Sequence, residues 1–169
     1  MEVQLLSRNV SAAEQQLAVV RTDGRGRFSY VVRASATSVL RAVYTGSPTT
    51  LPSQHEVGVL VPAASTIVTR PHRVLNGGSV TFRGRLRSLP VPALGKLVEL
   101  QVVLSSQWQT FRTVRTDLNG SWEVGYHFRR TCGRLRYRFR AKLPAEAGYA
   151  FEGGHTRGVT VRVRGAPCQ

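Results

Sequence analysis

Apolar residues recur at every second position along most of the chain, and Gly, Pro or Asn breaks the alternation roughly every 8 to 12 residues. Period two places successive side chains on opposite faces of an extended strand. In the second half it predicts seven strands: Thr66 to Arg70, Ser79 to Arg87, Leu97 to Leu104, Gln109 to Thr116, Ser121 to Phe128, Arg134 to Leu143 and Gly158 to Arg164. The inward set is Val80, Phe82 and Leu86; Val98, Leu100 and Val102; Leu135, Tyr137 and Phe139; and Val159, Val161 and Val163. Two facing sheets would bury it. Nothing reads as a convincing helix: the best candidate, "SAAEQQLAVV", is short and runs into a strand pattern.

The first half repeats the last five of these strands. Val3 and Leu5 answer Val98 and Leu100, and Phe28, Tyr30 and Val32 answer Trp122, Val124 and Tyr126. Leu40, Ala42 and Tyr44 answer Leu135, Tyr137 and Phe139, while Val57, Val59 and Val61 answer the closing valines. The expected division is therefore residues 1–63 and 64–169, with the boundary in "VPAAST", Val61 to Thr66. Nothing in the first half answers the two opening strands of the second. The expectation is a first domain whose opening strands are missing from a truncated chain, so that the lack of a signal peptide at Met1 carries no information.

The phrase "VRTDGRGRF", Val20 to Phe28, returns as "VRTDLNGSW", Val114 to Trp122, with the aspartates 94 positions apart (117 − 23). A tight hairpin needs a side-chain acceptor at its first corner and a residue that tolerates positive φ at its last. Asp23 and Asp117 suit the first role, and Gly26 and Gly120 the second. The competing reading makes the aspartates metal ligands or general acids. Calcium takes about six to eight oxygen ligands and glycosidase chemistry needs a carboxyl pair, yet these are the only two aspartates and they fall in different domains. The turn reading is preferred.

"TDxxGxF" and "TDxxGxW", a preceding strand of the form "GKLVELQVV" and a following "LRYRFRA" resemble bacterial immunoglobulin-like and carboxypeptidase regulatory-like β-sandwich modules, found in tandem in secreted and surface proteins. The Gly and Pro-rich bend "GRLRSLPVPALGKLVEL", Gly84 to Leu100, matches the same pattern. The resemblance covers Ser65 to Gly165 well and Val3 to Val61 in part. It implies an all-β chain of two tandem immunoglobulin-like antiparallel sandwiches, the first incomplete. It also implies a stalk, spacer, adhesive module or enzyme accessory domain without catalysis of its own.

Charge adds a possible partner. The chain carries 24 basic against 9 acidic residues, net +15, and 22 of the basic residues are arginine. Such a balance favours anionic partners, although a GC-rich genome also writes Arg for Lys. Arg134, Arg136, Arg138 and Arg140 alternate with Leu135, Tyr137, Phe139 and Ala141, and Arg162 and Arg164 fall on the next strand's outer face. This basic plate is either a grip for phosphates or sulfates, or a solvated outer sheet that discourages edge pairing, and the solvated sheet is the preferred reading. Anionic surface polymers and other domains of the same polypeptide are the expected partners, with nucleic acid disfavoured.

Two cysteines flank the last hairpin. With Arg134 opposite Arg164, position 132 falls opposite 166, two residues short of Cys168. A small adjustment brings Cys132 and Cys168 within the roughly 4.4 to 6.8 Å that a disulfide spans between Cα atoms. The bridge is preferred to two free thiols and argues for an oxidising compartment. The loop "PAEAGYAFEGGHT", Pro144 to Thr156, carries Tyr149 and Phe151, either as recognition residues or, as preferred here, as plugs for the end of the core. His55, His72, His127 and His155 are isolated and lack zinc spacing; no serine sits in a nucleophile elbow and no glycine loop cradles phosphate. No cofactor, metal, enzymatic activity or membrane span is expected.

Overall fold

A computed structural model describes residues 1–10 and 12–168 of the chain. Among them the protein is all-β. The strands are β1 (Glu2–Asn9), β2 (Ala12–Arg21), β3 (Ser38–Tyr44), β4 (Ser53–Val59), β5 (Val68–Arg70), β6 (Arg73–Leu75), β7 (Ser79–Arg85), β8 (Leu97–Leu104), β9 (Gln107–Arg115), β10 (Ser121–His127), β11 (Arg134–Leu143), β12 (Gly154–His155) and β13 (Val159–Arg164). Contacts sort the chain into two units. One is Met1–Pro62 with Ala147–Glu152, and the other is Ala63–Glu146 with the chain from Gly153 onward.

The second unit is a sandwich whose strands pair antiparallel except for β6. One layer has the order β10-β7-β5, and the other β6-β13-β11-β8-β9 with β12 beside β11. All seven predicted strands are present within a residue or two at most ends. The alternation acts as expected on β7, where Val80 and Phe82 are buried, and on β8, where Val98, Leu100 and Val102 are buried. Between the layers Phe82 meets Phe139 at 4.7 Å between ring centroids, and Phe111 meets Tyr126 edge-on at 5.0 Å. Leu135 is a correction. It was expected inward, but it is about half exposed, because β11 at that end pairs only with β13, whereas its pairing with β8 covers Phe139 to Lys142.

Two short strands escaped the sequence reading. β6 runs parallel to β13, with Arg73, Val74 and Leu75 opposite Arg162, Val163 and Arg164. β12 pairs with Lys142 and Leu143. Cys132 and Cys168 are bonded, with Cα atoms 5.0 Å apart. The ladder that sets this distance has the expected register, Arg134 opposite Arg164 and Arg136 opposite Arg162.

The first unit contains one sheet, β2-β1-β3-β4, and its order repeats β9-β8-β11-β13 strand for strand. The weak helix candidate is strand β2. The expected strand through Phe28, Tyr30 and Val32 is absent, a second correction: residues 28–34 carry no ladder. Its counterpart β10 is a strand because β7 pairs with it along all seven residues, Ser121 to His127. Among the described residues no segment of the first unit corresponds to β7, so Phe28 and Tyr30 stay 43% and 45% exposed, whereas Trp122 and Val124 are 4% and 7% exposed. Tyr149 and Phe151 are buried, but they group with the first unit and not with the second domain whose core they were expected to plug. There the Thr37 N–H donates to the Ala150 carbonyl at 2.9 Å, and the Glu152 N–H donates to the Val61 carbonyl at 2.9 Å.

Candidate functional site

The two aspartates have the same surroundings. Asp23 Oδ1 accepts the N–H groups of Arg25 and Arg27 at 2.8 and 2.9 Å, and Asp117 Oδ1 accepts those of Asn119 and Ser121 at 2.9 and 2.8 Å. Each turn closes through a main-chain bond from its glycine, Gly26 to Asp23 and Gly120 to Asp117, both at 3.0 Å. Gly26 and Gly120 sit at φ 76° and 78°, in the left-handed region that glycine enters without a Cβ clash. At Gly120 an added Cβ would also lie 3.1 Å from Leu86 Cβ. Among the described residues no group of three or more His, Cys, Asp or Glu side chains is arranged to hold a metal.

The outer face of the larger sheet has a different composition. Because Tyr137, Phe139, Val161 and Val163 point inward, their neighbours point out, and the registers align them across strands. Arg136, Arg162 and Arg73 stand abreast on β11, β13 and β6; Arg134 and Arg164 form the next row, completed by Leu75. Neighbouring strands are about 4.8 Å apart, so each row sets guanidinium stems side by side. Like charges directly opposite one another destabilise a sheet, by about 0.5 kcal/mol per pair even in a water-like dielectric. Two adjoining open recesses follow the rows. One, of about 570 Å3, is lined by His72, Arg73, Arg136, Arg138, Thr160 and Arg162. The other, of about 590 Å3, is lined by Arg134 and Arg164 together with Arg73, Arg136, Arg162 and four apolar residues.

Carboxylates lie elsewhere. Glu99 pairs with Lys142 at 3.3 Å, Glu123 with Arg83 at 2.7 Å, and Glu146 with Lys96 and Arg115 at 2.5 and 3.0 Å. Among the described residues no ion pair or side-chain hydrogen bond engages Arg73, Arg134, Arg136, Arg162 or Arg164. Arg140 differs from the other plate residues. Its guanidinium lies 4.2 Å from the Trp108 ring centroid and its Nε donates to Gln101 Oε1 at 2.8 Å, so it is occupied within the sheet. Arg138 sits 6.0 Å from the same indole and also faces the first recess. The plate read from sequence thus loses Arg140 as a free cation and gains Arg73 and His72. The signal for these two was weak, because β6 is three residues long and its parallel pairing leaves no local trace.

Comparison with protein-family models and with curated protein sequences finds no match. Among the described residues no helix is long and apolar enough to cross a membrane.

Proposed function

We propose that the chain is a non-catalytic β-sandwich module of a larger secreted or cell-surface bacterial protein, and that it adheres to anionic polymers through the arginine rows of the second unit. The observation that carries this reading is the row Arg136, Arg162 and Arg73, three cations abreast with no carboxylate among them. An arrangement that costs free energy when empty is relieved by a ligand carrying regularly spaced negative groups. The carboxylates of Asp23 and Asp117 are engaged within their own turns, which supports a module without acid–base chemistry. The Cys132–Cys168 bridge is compatible with an extracellular location. The resemblance to immunoglobulin-like and carboxypeptidase regulatory-like modules agrees with a spacer or adhesive role beside other domains.

The ligand class is identified by its charged groups: sulfate or carboxylate on an acidic polysaccharide, or phosphate on a wall polymer. The test compares heparin, polyphosphate and a single-stranded oligonucleotide against the chain and against R136E/R162E. Saturable binding of heparin or polyphosphate that the double reversal abolishes supports the reading. Equal binding by both proteins, or no binding at low salt, returns the module to a purely mechanical role. Preference for the oligonucleotide would replace the polysaccharide assignment.

A further inference from the structure

Arginine stays protonated throughout the physiological pH range, so a face made of arginines alone carries a constant charge. The first recess on the larger sheet holds one titratable side chain of another kind. Arg73, Arg136, Arg138 and Arg162 line it together with His72 and Thr160. His72 stands one residue ahead of β6, where its main-chain carbonyl accepts the Arg162 N–H at 2.9 Å. The register then sets Arg73 opposite Arg162, and Arg162 opposite Arg136. The ladder that aligns the row therefore also fixes the backbone that carries the imidazole. The other histidines lie apart from it. His127 bonds Ser79 on the smaller sheet at 3.0 Å, His155 stands opposite Lys142, and His55 belongs to β4 of the first unit.

Every charged group that faces His72 is a cation. Arg73 comes from its own segment, Arg136 and Arg138 from β11 and Arg162 from β13, while Thr160 is neutral. Among the described residues no carboxylate lines this recess or the adjoining one. An imidazole among fixed cations gains a counter-charge only when a ligand brings one. Histidine ordinarily changes charge between about pH 5 and 8, where arginine does not. We propose that His72 adds a fifth cation to this recess as pH falls, so that a bound polyanion is held more tightly in mild acid than in mild alkali; this regulation rests on the polyanion reading of the same rows. Linkage fixes the sign. The ligand's negative groups favour the charged imidazole, so the proton is retained to higher pH in the complex than on the free face. The added affinity is complete below the range in which the free imidazole titrates, and it is lost as pH rises through the range of the complex.

His72 is exposed, so water and salt screen the new contact. The expected gain is about two- to fivefold in association constant between about pH 8 and about pH 5.5. One more cation on the polymer also steepens the fall of log K with log salt, by up to about 0.9. Heparin is the probe, because the end groups of polyphosphate titrate in the same range. Its association constant is measured across salt at both pH values for the chain, H72Q, H72K and R136E/R162E. The parent should bind more tightly, and with the steeper slope, in acid. His72→Gln should show the parent's alkaline affinity at both pH values, and His72→Lys the parent's acid affinity at both. The proposal is overturned if His72→Gln keeps the parent's pH dependence. It is equally overturned if the parent, still sensitive to the double reversal, binds alike at the two pH values, and the polyanion reading then stands without it. No heparin binding at either pH would remove the polyanion reading itself, and the role of His72 with it.

Discussion

Asp117 Oδ1 accepts two N–H groups at fixed angles inside its own turn, and removing it leaves both donors to water while the corner unwinds. Asp117→Ala should destabilise the protein by about 1 to 3 kcal/mol, while Asp117→Asn, which keeps an acceptor oxygen, should recover most of the loss. The check is a denaturant midpoint at unchanged slope; an alanine variant as stable as the parent would contradict the turn assignment. Glu146 makes a second residue-scale statement. Burial alone would raise its pKa, but hydrogen bonds from Lys96 and the Leu97 N–H, the Lys96 charge and Arg115 outweigh burial and hold it below its ordinary 4.5. A carboxyl lowered on folding stabilises the protein above its unfolded pKa, and that contribution disappears as pH falls through the folded value. Glu146→Gln should therefore flatten the stability profile below about pH 4.5; an unchanged acid limb would contradict the network. The aspartate turns were legible because every residue in them acts on its sequence neighbours. The buried Lys96 was not legible, since its carboxylate partner is fifty positions away.

At the scale of elements, alternation located most of the longer strands that have a partner strand to hold them. It failed at residues 28–34, where the pattern is intact and the ladder is missing, so strand formation there depends on a neighbour that periodicity cannot report. It failed again at β6, which is too short to show a period, and at Leu135, whose alternation is regular but which lies where β11 has no β8 beside it. The last hairpin was read correctly because register alone places Cys132 near Cys168. The bridge closes a loop of 36 residues and restricts the unfolded chain accordingly. Replacing both cysteines by serine should lower stability by about 3 to 4 kcal/mol in the chain-entropy model. A double variant that unfolds at the parent's denaturant midpoint would show that the bridge does not stabilise this fold.

Over the whole molecule the excess of fifteen positive charges is not spread evenly. On the larger sheet Glu99 and Glu146 gather Lys142, Lys96 and Arg115 in a paired region, while Arg73, Arg134, Arg136, Arg162 and Arg164 form rows without acidic neighbours. Composition alone could not say how the arginines are arranged; strand register shows which of them stand opposite one another and which are paired with carboxylates. A polyanion seated on those rows releases its counterions in proportion to the contacts made. The most direct measurement is the heparin association constant of the chain and of R73E/R136E/R162E as a function of salt concentration. The account predicts a straight fall of log K with log salt for the parent, and a weaker constant with a shallower slope for the triple variant. Parallel lines of equal height would contradict it.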